Sequence, residues 1–480
     1  MYLSKHKCNL LAMVASLSIM SSAQALTLED AIRIAVKSNP EILQSLENRE
    51  AVEFELQQAR GAFMPTLDLE SNAGVRKLDN ASRRSLGIQN KQLNPADVGL
   101  TLRQSLFDGG TRKAELNRQA SRVDGASYRA LERTEIIALS VAREYLEYLL
   151  QTEVVKLTRR NLQQIGSITS GIDIKIQNDV LTRAEGSLAR ERQQSARVRS
   201  KEAQQELIEA SVRFERLVGL SISNAKLPRS RKASLPKTLA GAVALATQNS
   251  PRVAFANTDI QAAQFQVDSA RAEYLPKVDF EARARYGSDI DGAAGTSTNM
   301  EAKVVARWNL FRGGRDTAVV QERIRRAGEA KYGKDIILRE TVELVKSAWN
   351  RRTKQAERAQ ELKRQANINA SLVSDYKEQF DLDRRSLLDV LSAQNTRFNS
   401  EISTRTSAYA SLFAEYELLA AIGNLNKVIG YDLPDQATSY AREEFKVVSR
   451  IGNGSEFKRL PSRQVAGKPF DLLTPLNASE

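Results

Sequence analysis

Side chains that could bind a metal or act as nucleophiles are almost absent from this chain. Its 480 residues include one histidine, His6, and one cysteine, Cys8. Both lie in an N-terminal segment in which two lysines precede a short apolar stretch and a small-x-small site, Ala23-Gln24-Ala25. These are the features of a secretory signal peptide. Cleavage after Ala25 predicts a mature chain with neither an imidazole nor a thiol.

That prediction excludes several kinds of active site. A zinc site of Cys and His ligands, a Ser-His-Asp triad and a disulfide all need side chains that the mature chain lacks. No motif of paired carboxylates stands out either. We therefore expect that the protein is not an enzyme and that it uses no metal or cofactor. Cys8 precedes the apolar stretch, so it is not placed to be a lipoprotein cysteine at the cleavage point.

Charge and hydropathy restrict where the protein acts. The formal net charge is +13, but Lys and Arg are interleaved with Glu and Gln along most of the chain. This interleaving is typical of solvated helix faces, so we expect no nucleic-acid partner. No run of eighteen apolar residues follows the signal, which predicts no transmembrane helix. An exported chain of this kind is periplasmic, secreted or inserted in an outer membrane as β-strands.

The sequence after the signal contains an internal repeat. Residues from Thr27 align without a gap with residues from Thr238, and Pro65 then matches Pro276, an offset of 211 (276 minus 65). At the segments LFDGG and LFRGG the offset is 204 (314 minus 110). The first copy therefore carries seven additional residues between its proline and its Gly-Gly pair. Two segments with one order of landmarks predict an internally duplicated structure.

Each copy predicts two helices and then a β-hairpin, at about 66–107 in the first and about 277–311 in the second. After Pro276 the residues Val278, Phe280, Ala282, Ala284 and Tyr286 alternate with Lys277, Asp279, Glu281, Arg283 and Arg285. Such alternation is typical of a strand with one apolar and one charged face. The return strand is expected to run from Met300 to Leu310, after a polar loop at 287–299. Strands of about ten residues suit a bilayer crossed at a tilt.

Long helices follow each hairpin. They are predicted at about 111–165 and 180–217, and again at about 316–376 and 386–422. Apolar residues in the helix at 180–217 follow a heptad seam: Ala203, Leu207, Ala210, Phe214 and Leu217. The junction residues are Pro65, Gly109 and Gly110 in the first copy, and Pro276, Gly313 and Gly314 in the second. Proline ends a helix, and glycine allows the backbone angles that a strand-to-helix junction needs.

The chain is accordingly divided into a signal peptide at 1–25, a first repeat at 26–220, a linker at 221–237, a second repeat at 238–433 and a basic tail at 434–480. The tail is expected to be loosely packed.

A soluble sandwich would show the same strand alternation, but four strands between such long helices have no second sheet to cover them. A soluble coiled-coil rod also stays open, although it leaves the amphipathic strands unexplained.

The chain resembles the TolC-type outer membrane factor family from Thr27 to about Pro434. The resemblance rests on the duplication, the starts AIRIAVKSNP and AVALATQNSP, the pieces ARGAFMP and ARAEYLP, the LFDGG/LFRGG pair, and RRSLLDVLSAQN at 384–395. It implies an α+β fold in which four strands per protomer join a trimeric, 12-stranded transmembrane β-barrel continued by a long α-helical coiled-coil barrel. Four strands cannot close a barrel alone, so the strands themselves also point to an oligomer.

The resemblance further implies a periplasmic gate at the tip of the helices, formed by Phe380, Arg385, Asp389 and Asp179. Ser392 departs from the family pattern, since the family can carry a second acidic residue there. The implied partners are two identical copies, a periplasmic adaptor (membrane fusion protein), an inner-membrane transporter and outer membrane lipid. The implied location is the outer membrane of a Gram-negative cell, with a large periplasmic part.

The function expected from these features is that of a passive exit duct. Type I protein secretion is the favoured cargo class, because the basic tail and the unlipidated start are similar to secretion-type relatives. Small-molecule efflux through the same fold is the alternative. A soluble periplasmic coiled-coil scaffold is the alternative outside the channel class.

Overall fold

The computed structural model describes residues 26–292, 294–448, 457 and 459. The predicted signal peptide, 1–25, and most of the tail after 448 lie outside the described residues. The described chain is mostly helical with a small antiparallel sheet, which agrees with the expected α+β class at that level. Among the described residues, no helix combines the length and the apolar character needed to cross a membrane.

The first half of the chain contains five helices or helical turns and four strands. They are α1 (Leu28–Ser38), α2 (Pro40–Gly61), β1 (Thr66–Ala73), β2 (Arg76–Lys77), α3 (Ala81–Ser85), β3 (Gln92–Leu93), β4 (Ala96–Phe107), α4 (Thr111–Gln177) and α5 (Arg183–Val218).

The second half repeats this order without counterparts of β2, α3 and β3 among the described residues, and it adds short helices at its end. Its elements are α6 (Leu239–Asn249), α7 (Pro251–Ala272), β5 (Lys277–Ser288), β6 (Thr296–Arg307), α8 (Arg315–Asp381), α9 (Leu387–Ala421), α10 (Leu425–Ile429) and α11 (Ala441–Glu444). Corresponding helices have nearly the same length: α1 and α6 have 11 residues, α2 and α7 have 22, and α4 and α8 have 67.

Two of the long helices, α4 and α8, extend beyond their predicted ends. The periodicity predicted that α4 would end near 165, but it continues to Gln177. Its last turns carry Ile172, which is buried against Leu387 and Leu391, and this packing maintains the helix. Burial also follows the predicted heptad seam, since Ala203, Ala210, Phe214 and Leu217 are all buried, although Leu207 is only half-buried.

The sheet has the strand order β1-β4-β5-β6, and all its pairs are antiparallel. The two hairpins are joined through β4 and β5, with Gly99 opposite Arg285. Between Ser105 and Phe107 the register shifts at a bulge, beside the end of the strand. The short strands β2 and β3 form a second, two-stranded ladder.

The loop between β1 and β4 has structure of its own, since it contains α3 and β3. The guanidinium of Arg83 is buried there and donates hydrogen bonds to the carbonyls of Gly292, Ile88 and Lys91. Hydrogen bonds from one guanidinium to three backbone carbonyl groups give the polar loop a fixed shape.

The second hairpin also has different ends. Its loop is shorter than the predicted 287–299, because β5 continues to Ser288 and β6 begins at Thr296. The carboxylate of Asp289 accepts the backbone N–H of Gly295 and closes the turn. β6 ends at Arg307, so Trp308 and Leu310 lie beyond the strand in which the alternation had placed them. The ladder ends there because Arg307 pairs with Lys277, the first residue of β5.

The described residues form two compact units, each drawn from both halves of the chain. One unit comprises residues 26–39, Glu135–Leu239 and Lys346–Asp432. Its core includes the aromatic pair Tyr145 and Phe214, whose ring centroids are 6.2 Å apart. Tyr145 donates its hydroxyl proton toward the carbonyls of Leu26 and Lys226, which fixes both connecting segments to the helices.

The other unit comprises Pro40–Thr134, Ala240–Val345 and the described residues after Asp432. It holds the sheet and a core cluster that includes Val52, Leu56, Leu116 and Val123. Ala441 of α11 is fully buried in the same cluster. The expectation of a loosely packed tail is therefore wrong for this part of 434–480, because its first helical turn completes an apolar core.

Candidate functional site

The four-stranded sheet has two chemically different faces. One face exposes apolar side chains, among them Leu67, Leu69, Leu100 and Val304. The opposite face carries acidic and basic residues in about equal number. A large apolar side chain gains about 1.5–3 kcal/mol when it is fully buried, so several exposed on one face favour contact with an apolar phase.

Ion pairs between neighbouring strands cover the charged face. The guanidinium of Arg307 on β6 lies 2.9 Å from Asp279 and 3.0 Å from Glu281, both on β5. Arg285 on β5 lies 2.9 Å from Asp97 on β4. Ion pairs at a solvent-accessible surface persist in water and contribute little to stability there. Water is the medium that suits this face.

The sheet also has two unpaired edges. β1 and β6 are the outer strands, and each has a single neighbour within the part of the chain that the structure describes. Unpaired N–H and C=O groups along a strand favour pairing with another strand, because each such group loses several kcal/mol in an apolar medium if it stays unbonded. The sheet is therefore suited to continue into strands of other chains.

The predicted junction residues lie at the ends of the sheet. Pro65 is the residue immediately before β1, and Pro276 is the residue immediately before β5. The Gly-Gly pairs follow β4 and β6. Gly109 and Gly110 have φ angles of 70° and 99°, in the left-handed region that favours glycine. A Cβ on Gly109 would also lie 2.6 Å from the carbonyl oxygen of Ala272. Both the backbone angle and the close approach require glycine at this position.

The second pair, Gly313 and Gly314, has φ angles of 61° and 82°. The residue before each pair differs, because Asp108 in the first copy is replaced by Arg312 in the second. Burial of Asp108 alone would raise its pKa, but hydrogen bonds from the backbone of Arg112 and Gly110 outweigh burial and lower the pKa. A carboxylate at this point satisfies free N–H groups in the first turn of α4.

Arg385 and Asp389 lie together where α9 begins. Ser386 is the N-cap residue of α9, and its hydroxyl accepts the backbone N–H of Asp389. The guanidinium of Arg385 lies 3.7 Å from the carboxylate of Asp389 and 4.3 Å from the centre of the Tyr376 ring, and it donates to Gln379. All these contacts lie within α8, α9 and the turn between them. In one chain, this pair therefore stabilises its own turn.

Phe380 lies at the other end of the same turn and contacts the first repeat. The ammonium nitrogen of Lys175, in the last turn of α4, lies 4.4 Å from the centre of its ring. The same nitrogen lies 3.8 Å from the carboxylate of Asp381. Lys175 thus joins the end of α4 to the end of α8. The sequence reasoning missed Lys175, because the sequence does not reveal that residues about 200 positions apart meet.

Asp179 occupies the turn between α4 and α5, where its φ of 57° is left-handed. Asp383 occupies the same place between α8 and α9, with a φ of 55°. The two residues are related by the offset of 204 found at the Gly-Gly pairs (383 minus 179). The structure therefore brings Asp179 into correspondence with Asp383 and not with Asp389.

The residue that corresponds to Asp389 is Glu185. Thr182 and Glu185 form a capping box at the start of α5, in which each side chain accepts the other's backbone N–H. This motif is visible in the sequence as Thr-x-x-Glu, and its second copy is Ser-x-x-Asp at 386–389. A search for paired capping motifs would have located both turns and set their register.

Comparison with known proteins identifies the family. The model of the family described as "Outer membrane efflux protein" matches residues 31–220 and 242–424. The chain belongs to the outer membrane efflux protein family. Family members are channels and not enzymes, and the predicted location in the outer membrane of a Gram-negative cell, with a large periplasmic part, is confirmed. The resemblance to the TolC-type family is confirmed as well.

Individual members of the family are distant from this chain. Outer membrane protein TolC of Escherichia coli (strain K12) is 25% identical over 438 residues, which cover 86% of this chain and 85% of TolC. The alkaline protease secretion protein AprF of Pseudomonas aeruginosa is 22% identical, with 85% and 86% covered. The crystal structure of the Campylobacter jejuni CmeC outer membrane channel superposes with a TM-score of 0.74 at 16% identity, covering 87% of this chain and 89% of CmeC. At this identity the structural likeness establishes the fold.

Proposed function

We propose that this efflux-family protein is the outer membrane exit duct of a tripartite export system. In this proposal three copies join their sheets into one 12-stranded barrel, which continues into a tunnel of the long helices. The two sequence repeats are two copies of one structural unit. The duct does no chemistry, and the energy for transport comes from an inner-membrane transporter connected through a periplasmic adaptor.

The observation that carries the proposal is the sheet itself. It combines an exposed apolar face, an ion-paired face and two unpaired edges. A closed barrel of several copies gives lipid to the first face, water to the second and a partner strand to each edge. The soluble scaffold, by contrast, would leave the apolar face in water.

The gate at the periplasmic turns is part of the proposal. Arg385, Asp389, Phe380 and Asp179 are its proposed residues, and the geometry adds Lys175 as the contact between α4 and α8. The Arg385–Asp389 pair is more than a third exposed on average, so within one chain it contributes at most about 1 kcal/mol. A weak contact repeated in several copies is easily broken when a partner binds the open state better.

Single-channel conductance in a planar bilayer tests the gate. The double variant Arg385→Ala with Asp389→Ala is expected to conduct several-fold more current than the wild type, because the turns separate. Arg351→Ala is the matched control, since Arg351 pairs with Glu417 within α8 and α9 away from the turns. Wild-type conductance in the double variant, or an equal increase in the control, would contradict the proposed gate.

For cargo we favour type I protein secretion, supported by the tail at 434–480 and by the name of the relative AprF. Small-molecule efflux is the second candidate, supported by the family description. Deletion of the gene separates them. Loss of an extracellular protein with unchanged drug sensitivity fits secretion, and drug hypersensitivity with normal secretion fits efflux. Extraction of the protein without detergent would instead support the soluble scaffold.

A further inference from the structure

A cleft of 410 Å³ lies between the last turns of α4, the last turns of α8 and the first turn of α9. Its apolar lining is formed by Ile168, Ile172, Phe380, Leu387 and Val390. Ile172 and Leu387 are fully buried and belong to the core cluster of this region, so the apolar floor is part of the packed structure. Cavities that hold small organic ligands begin at about 300 Å³.

Two ammonium groups border this floor. Lys175 and Lys377 both line the cleft, and Asp381 is the one acidic residue of the lining. Lys175 lies 3.8 Å from Asp381, which balances its charge in part. Lys377 is half-buried and makes no ion pair with any residue that the structure describes. The cleft therefore carries about one unmatched positive charge next to an apolar surface.

We propose that this cleft binds an amphipathic monoanion, meaning a compound with one carboxylate, sulfonate or sulfate head and a single apolar tail or ring system. The tail would cover the apolar floor, and the removal of its methylenes from water would favour binding. The head would lie between the two ammonium groups, where a charge-assisted hydrogen bond to Lys377 replaces its contact with water. A neutral analogue gains the first contribution only, and a cation is repelled.

The proposal does not depend on conduction. It concerns one chain's own cleft, so it can be tested on the purified full-length protein whether or not that protein forms a duct. A bound anion would also lie against Phe380 and Lys175, the two residues that connect α4 with α8. Occupancy of the cleft would thereby be reported by the reactivity of its lysines.

Protection of lysines from acylation, read by mass spectrometry, is the test. The probe is 1-octanesulfonate, which stays ionised at all working pH values and is not itself acylated. We expect saturating octanesulfonate to slow acylation of Lys377 at least threefold. Lys156, which lies on α4 and pairs with Glu153, is the control lysine and should react at an unchanged rate. Octan-1-ol and octyltrimethylammonium are the matched neutral and cationic probes, and neither should protect Lys377.

The variant Lys377→Gln completes the test, because it removes the unmatched charge and keeps a polar side chain that is one atom shorter. In this variant, protection of Lys175 should require at least five times more octanesulfonate than in the wild type. Unchanged acylation of Lys377 would overturn the proposal. Equal protection of Lys377 by octan-1-ol would show that only the apolar surface binds, and equal protection of Lys156 would show unspecific binding. Each of these two results would also reject an anion site.

Discussion

Removal of the Asp124 carboxylate should release the C-terminal segment around α11, which is hydrogen-bonded to α4. Asp124 is a buried residue of α4 with a side chain that is 3% exposed. Its oxygens accept the backbone N–H groups of Tyr440, Ala441 and Arg442, at 2.9, 2.8 and 3.3 Å. The guanidinium of Arg442 donates to it at 2.6 Å. One carboxylate therefore caps α11 and neutralises the arginine at the same time.

The size of the effect follows from what the substitution leaves behind. Asp124→Ala keeps Arg442 and the three N–H groups but removes their acceptor. Breaking a buried ion pair by removing one partner costs about 3–5 kcal/mol. Arg442 is 23% exposed and can recover part of its hydration. We therefore expect a loss at the low end, about 3 kcal/mol, concentrated in the opening of the segment around α11.

Trypsin cleavage after Arg442 measures this opening, because Arg442 lies within α11 and its guanidinium is bonded to Asp124 until the segment detaches. A loss of about 3 kcal/mol should increase the open population, and with it the cleavage rate after Arg442, by about 100-fold. Asp124→Asn keeps an oxygen acceptor and loses the charge. Its cleavage rate should therefore lie between the rates of the wild type and of Asp124→Ala.

The control is Asp173→Asn. Asp173 forms an ion pair with Arg190 at 3.2 Å in which both side chains are about half exposed. The expected cost is below about 1 kcal/mol, so cleavage near α11 should stay at the wild-type rate. A change of less than threefold in Asp124→Ala would refute the reasoning. An equal acceleration in Asp173→Asn would show that general destabilisation, and not the lost cap, causes cleavage.

Three further outcomes are expected. Gly109→Ala should lower the free energy of unfolding by more than about 2 kcal/mol, because the left-handed φ and the nearby carbonyl of Ala272 both oppose a Cβ. Gly61 has open space around it, so Gly61→Ala should not have this effect. Thermal unfolding of the two variants compares them. Burial, together with a hydrogen bond to a nearby glutamate, raises the pKa of Tyr440 from 10.0 to about 12. Since the raised pKa favours the protonated folded form, stability should be constant below pH 10 and fall as the pH rises toward about 12; Tyr440→Phe, followed by denaturant unfolding, should remove this fall. Arg83→Ala should make the loop between β1 and β4 more sensitive to protease added to the purified protein, because three carbonyl groups lose their donor, while the sheet's thermal transition stays unchanged.

Local signals account for the elements that the sequence predicted well. Pro65 and Pro276 end helices because proline lacks the backbone donor and restricts the residue before it. The alternation after Pro276 indicated a strand with two different faces, and β5 occupies this segment. These signals act over a few residues, so the type and order of the elements could be predicted from them.

Element ends were less well predicted, since packing and pairing decide them. Leu310 fits the alternation of β6 but lies outside the strand, because its ladder partner would precede the first residue of β5. Helix α4 continues past the predicted end because Ile172 is buried against α9. In both cases the deciding contact joins segments that are distant in the chain.

The sequence by itself determined the absence of imidazole and thiol from the expected mature chain, the duplicated order of elements and the two-faced strands, because composition and periodicity are properties of the chain alone. Only the tertiary structure decided that Lys175 meets Phe380 and that Asp124 holds the C-terminal segment. The first contact depends on two helices of 67 residues, each about 100 Å long, ending in register, and the second joins residues that are 316 positions apart in the chain. That register is set by the sum of many packing contacts, and no short motif encodes it.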